Sequence, residues 1–162
     1  MKITLLSIAV STLVAASAFA EDTVQQTSLG TTLAVEIAQT AVSACSSDGY
    51  NVSAAVTDRS GVLLALVRAE SAGPHTVNSS SAKAFTSASS RNTTGALAEN
   101  AAKNAGAAGL VDIPGFLVLA GGIPIKIGKD VVGAIGVGGA PGGNLDEACA
   151  NKAIEKIATR LK

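Results

Sequence analysis

The chain has 162 residues, with 12 basic and 12 acidic side chains; 48% of residues are hydrophobic, 15% charged and only 2% aromatic. Balanced charge excludes the basic surface that nucleic-acid backbones require, and a composition this apolar and weakly charged excludes a disordered chain. One histidine and two cysteines exclude a mononuclear zinc site unless carboxylates complete it.

Met1-Lys2 is a short positive start. Ile3 to Ala16 is apolar or small and uncharged, and Ala18-Phe19-Ala20 has the small-x-small pattern of a cleavage site before Glu21. The run is short for a bilayer, and no stop-transfer charges follow it. Residues 1–20 are therefore expected to be a secretory signal. Residues 21–162 would form a single exported domain, periplasmic or secreted, with no membrane span. Removing 20 residues from 162 leaves 142, with 11 basic and 12 acidic groups and Tyr50, Phe85 and Phe116 as the aromatics.

A polar arm over 21–30 leads into a helix expected from Thr31 to Ser47, ended by Asp48-Gly49. Leu33, Ile37, Ala41 and Cys45 recur every four residues along it. Tyr50 to Asp58 reads as a strand, Asp58-Arg59-Ser60-Gly61 as a hairpin turn, and Val62 to Arg68 as the return strand. After a connection through Pro74, a helix is expected from His75 or Thr76 to Ser90. Thr93 or Thr94 can cap a further helix reaching about Asn104. The stretch from Ala105 to Pro114 reads as a loop. Strands are then expected over Phe116–Ala120, Ile123–Ile127 and Val131–Val137. The glycine-rich Gly138–Gly143 segment leads to a last helix, with Asn144 as cap and Glu147 as its capping-box partner. Leu145, Cys149, Ala153 and Ile157 line one face of that helix.

The order α-β-β-α-α-β-β-β-α, with short turns between successive strands, predicts an α/β (α+β) fold: one five-stranded antiparallel sheet covered by helices. Cys45 and Cys149 both fall on inward helix faces. In an oxidising compartment they are expected to form a disulfide tying the first helix to the last. Two buried free thiols are the alternative.

His75 is the first candidate for chemistry. At a helix N-terminus the dipole favours its neutral ring, the form that ligates a metal; a surface histidine with no role is the alternative. Ser79 lies one turn on, with Asp58 or Asp112 as conceivable partners, but no Gly-x-Ser-x-Gly elbow supports a serine hydrolase. The glycine-rich loop follows a strand and precedes a helix, as a phosphate cradle does, but its spacing fits neither a dinucleotide fingerprint nor a P-loop. Lys83 lies near the His75 face, and Arg68 just before the His75 loop; a solvated role is the default for both. The triplets at Asn51, Asn78 and Asn92 match glycosylation sequons, which matter only in a eukaryotic source.

Several segments together are similar to GlcG/HbpS-type haem-binding proteins, a family that also resembles PduO C-terminal-like domains. They are Val56-Thr57-Asp58-Arg59-Ser60-Gly61-Val62-Leu63, Ala72-Gly73-Pro74-His75-Thr76, Ser81-Ala82-Lys83-Ala84-Phe85-Thr86, Leu119-Ala120-Gly121-Gly122-Ile123-Pro124-Ile125 and Val132-Gly133-Ala134-Ile135-Gly136-Val137. The resemblance covers about Thr31 to Ile157. It implies a profilin-like or PAS-like antiparallel fold, dimers or larger assemblies and, for some members, haem. Carried onto this sequence, His75 would supply an axial nitrogen to haem iron, with Thr76 beside it and Lys83 and Arg91 pairing with the propionates. No catalytic residue is assigned. Three functions stand open: an exported haem carrier, buffer or sensor partner; a small-carboxylate or corrinoid-related ligand binder or enzyme; and an oligomeric structural or partner-binding module.

Overall fold

The computed structural model describes residues 23–161; the expected signal segment lies outside them. Helix α1 spans Thr31–Ser47, and the hairpin strands β1 and β2 span Ser53–Asp58 and Leu63–Arg68. Helix α2 covers His75–Ser90 and helix α3 covers Thr94–Lys103, followed by a 3-10 segment over Ala105–Asp112. Strands β3 (Gly122–Ile127) and β4 (Asp130–Gly138) precede helix α4 (Gly143–Ile157) and a short 3-10 turn over Ala158–Arg160. The local signals explain these boundaries. Gly49 takes φ +85° after α1, and Gly61 takes φ +84° in the hairpin, where a side chain would be strained. Asp58 Oδ1 closes the hairpin by accepting from the amides of Ser60 at 2.8 Å and Val62 at 2.9 Å. Thr93 Oγ1 caps α3 by accepting from Ala96 N at 3.2 Å.

The sheet is antiparallel, in the order β2-β1-β4-β3. It has four strands, which corrects the expectation of five and the element order that went with it. The apolar run Phe116–Ala120 forms no ladder. Phe116 N turns back to Ile113 O at 3.0 Å, and Leu117 N donates to the Thr86 hydroxyl at 2.8 Å. Gly115 and Gly121, at φ +83° and +120°, bend the chain on either side. A short apolar run carries no periodicity that separates a strand from a loop lying on a helix. The cap of α4 is also corrected. Gly142 takes the N-cap position without a side-chain bond, and Asn144 lies inside the first turn.

Three layers result. Val52, Ala54 and Val56 of the β1 segment, Ile123 and Ile125 of β3, and Ile135 and Val137 of β4 share one sheet face and pack under α1 and α4. Cys45 and Cys149 are bonded there, with Cα atoms 5.4 Å apart, joining α1 to α4 within the core. The opposite face is small: Ser53, Ala55 and Thr57 of β1 lie beside Gly138, Gly136 and Ala134 of β4. Helix α2 presses directly on it. A Cβ at Gly136 would stand 2.1 Å from Ser80 O and 2.4 Å from Ala84 N, so only glycine admits the helix at that depth. The buried face of α2 is correspondingly small and polar, including Thr76, Ser80, Thr86 and Ser87.

Candidate functional site

The close seating of α2 fixes what surrounds its first two turns. Arg68 ends β2, and its guanidinium donates to the carbonyl of Ala72 and, at 3.4 Å, to that of Glu70, bracing the loop that leads to Pro74. Thr76 N donates to Gly73 O at 3.0 Å, and Thr76 Oγ1 donates to the same carbonyl at 2.7 Å. That leaves the Thr76 oxygen to accept from Ser53 Oγ, also at 2.7 Å. Thr76 is therefore buried against β1 and positions its neighbour. His75 points the other way and is exposed. Its ring lies over Gly73: a Cβ there would stand 2.7 Å from Cε1 and 2.9 Å from Nδ1, but 3.9 Å from Nε2. The Nδ1–Cε1 edge thus covers the glycine.

His75, Ser79 and Lys83 follow at intervals of four, on one face of α2. They form one wall of a cavity of about 330 Å³, closed by the Gly138–Gly143 loop, Leu119 and Asp146. Lys83 forms the floor. Its Nζ lies 2.8 Å from Asp146 Oδ2 and 2.9 Å from Val137 O, and its side chain is 2% exposed. The other Asp146 oxygen accepts from Ala140 N at 3.0 Å, so this single carboxylate both neutralises the lysine and shapes the glycine loop. An ammonium has three N–H donors, and two are used. A buried ion pair of this kind owes its persistence to these extra hydrogen bonds, because desolvation opposes the Coulomb gain.

The sequence candidates are thus partly gathered. His75 and Lys83 share the cavity, with Lys83 buried rather than solvated. Thr76 supports His75 from behind. Arg91 sits at the far end of α2, exposed and at φ +58°; sixteen helical residues separate the ends, roughly 24 Å at the α-helical rise. Asp146 was not singled out by sequence reasoning. Nothing in a single chain signals a partner 63 residues away. Ser79 donates to Thr76 O at 3.3 Å, which serves the helix rather than an activated nucleophile.

A neighbouring open cavity of about 710 Å³ runs between α3 and α4 and meets the first at Leu119 and Gly143. It carries Glu99 and Glu147, with no basic side chain. Among the described residues, no group of three or more His, Cys, Asp or Glu side chains is placed to hold a metal ion, and no helix is long and apolar enough to cross a membrane.

This architecture has known counterparts. The family described as haem degrading protein HbpS-like matches residues 29–155, and the chain belongs to that family. The chain is similar to a double mutant of HbpS from Streptomyces reticuli, at 40% identity and a TM-score of 0.80, over 87% of this chain and 94% of that one. Two further structures share the fold at lower identity. One is the Klebsiella pneumoniae protein ORFY, with 21% identity and a TM-score of 0.81 over 87% and 98% of the chains. The other is PduOC in its complex with heme, with 19% identity and a TM-score of 0.73 over 79% and 94%. No curated protein matches the chain.

Proposed function

We propose that the protein is an exported haem-binding protein, acting as a carrier, a buffer or a sensor partner, with His75 as the iron ligand. The observation that carries this reading is the placement of the chain's one histidine: exposed, and at the rim of a cavity, in a chain 40% identical to HbpS. The heme complex of the structurally similar PduOC supports it. Export rests on the apolar N-terminal segment, and the Cys45–Cys149 bond fits an oxidising compartment.

The residues fit haem in a limited way. The imidazole offers a ring nitrogen of the kind that ligates iron. A cavity of about 330 Å³ with an ion pair for its floor suits a polar substituent rather than a whole macrocycle. The macrocycle would therefore rest on the surface or between subunits of a homo-oligomer. Bound haem would supply an iron centre for ligand or electron exchange. His75 would hold it, Thr76 would fix the helix turn that carries His75, and the third N–H of Lys83 would meet an acidic group entering the cavity. Arg91 would reach a propionate only from a neighbouring subunit. With one histidine per chain, a second histidine nitrogen would come from a neighbouring subunit; water or another side chain is the alternative ligand.

The same polar floor favours a second reading, a small carboxylate held between Lys83 and the Gly138–Gly143 loop. A hemin titration of the mature protein separates the two. A Soret shift that disappears in His75→Ala is expected; an unchanged spectrum and affinity in that variant would remove His75 from the site.

A further inference from the structure

On the other flank of α2 lies a cavity of about 390 Å³ that the haem reading leaves unused. Its wall from α2 is Ser81, Ala82 and Phe85; Leu63 of β2 and Pro114 face them. No charged side chain lines it. Phe85 meets Phe116 edge to face, with ring centroids 6.1 Å apart and planes at 78°. Two of the three aromatic residues of the 21–162 segment are therefore gathered here, and none lines the His75 cavity. Phe85 is also gripped at two edges. A Cβ at Gly61 would lie 2.9 Å from its Cδ2 and one at Gly115 would lie 3.2 Å from its Cε1, and both glycines take positive φ.

Thr57 lines the same cavity. It is 2% exposed, and its Oγ1 has no hydrogen-bond partner. The strand pairing slips at this point: Val56 faces Ala65, but Thr57 faces Leu63, which places both Thr57 and Leu63 on the cavity. Such bulges re-aim side chains, and they cluster near binding sites. A buried hydroxyl is ordinarily paired, so one left single beside an apolar cavity needs a partner from elsewhere. Ser81 Oγ, on the α2 wall, already donates to Val77 O at 2.9 Å, so Thr57 Oγ1 is the unpaired polar group among apolar and aromatic walls, the usual make-up of a small-molecule site.

We propose that this cavity binds a small uncharged molecule, aromatic or alicyclic, whose one hydrogen-bonding group pairs with Thr57 Oγ1. The recess is open on its outer side, and its volume of about 390 Å³ leaves room for a fused two-ring molecule laid against Phe85 and Leu63. Neutrality follows from the uncharged lining. The site is separate from His75 and does not depend on the haem reading.

Indole and its carbon isostere indene are suitable probes, titrated into the mature protein and followed by amide NMR shifts. Expected is saturable binding of one indole per chain, with the largest shifts around Thr57, Ala82 and Phe85. Thr57→Val should weaken indole by about fivefold to tenfold, the worth of one hydrogen bond, and leave indene unchanged. Ala82→Leu, which fills the cavity, should remove both, while His75→Ala should keep both. Absence of saturable indole binding, or a Thr57→Val protein that binds indole as the parent does, would overturn the proposal. So would a change of oligomeric state in Ala82→Leu, which would assign the surface to contact between copies.

Discussion

Lys83 Nζ stands 2.8 Å from Asp146 Oδ2, with side chains 2% and 4% exposed, so a charge pair sealed from solvent joins α2 to α4 beneath the His75 cavity. Removing one member leaves the other charge buried alone. Lys83→Met is expected to lower the unfolding free energy by about 3–5 kcal/mol. The double variant Lys83→Met, Asp146→Leu should recover most of that, with about 1 kcal/mol remaining for the lost Ala140 bond. Urea denaturation of the single and double variants measures both. Equal losses in the two would mean that the pair is not what ties these helices.

The Cys45–Cys149 bond closes a separation of 104 residues. Restricting the unfolded chain over that span is worth about 4–5 kcal/mol in the loop-entropy model. Denaturation with and without a reductant should show a loss of that order, reproduced by Cys45→Ala with Cys149→Ala. A protein indifferent to reductant would not contain the bond.

Gly73 lies under the His75 ring, and the atoms a methyl group would strike are the far end of a side chain free to swing away. Gly73→Ala should therefore change stability by less than about 0.5 kcal/mol, as an ordinary surface substitution does. It should still displace the imidazole. If His75 ligates haem, hemin affinity should fall by roughly threefold to tenfold, the scale of one disturbed contact. Retained affinity with a normal melting temperature would place the ligand away from His75.

Gly136 offers no such escape, because its added methyl group would meet the backbone of α2 at Ser80 and Ala84. Gly136→Ala should cost about 3 kcal/mol or more, at the upper end of overpacking penalties, and lower the melting temperature by roughly 10 °C. Differential scanning calorimetry tests this directly; a melting point within a degree or two of the parent would contradict the close seating of α2.

Much of the fold was legible because its signals are local. The Leu33–Cys45 spacing located α1, Gly61 located the hairpin, and the inward faces of Cys45 and Cys149 anticipated their bond. The Phe116–Ala120 run misleads because the amides of Phe116 and Leu117 bond to the Ile113 carbonyl and the Thr86 hydroxyl instead of a neighbouring strand, which leaves no mark in composition. The candidate site was only half legible. His75 and Lys83 share a face by simple helical spacing. The burial of Lys83 depends on Asp146, on a neighbouring strand carbonyl and on the depth at which glycines admit α2. None of these is a property of the residues around Lys83. Alternation places Thr57 on the α2 face, but neither its unpaired hydroxyl nor the pairing slip that sets Leu63 opposite it has a signal in the pattern.

On the β4 side the contact with α2 is already built from the smallest available residue, Gly136, which faces the backbone of Ser80 and Ala84. Substitution at Gly136 can run only toward larger groups. No second change can make room, since the opposing atoms are main chain and cannot be trimmed. Repacking, the usual route by which a layered protein tolerates drift, is closed along this seam. Both flanking cavities inherit their spacing from it, so their geometry is held by a contact that cannot be renegotiated one residue at a time.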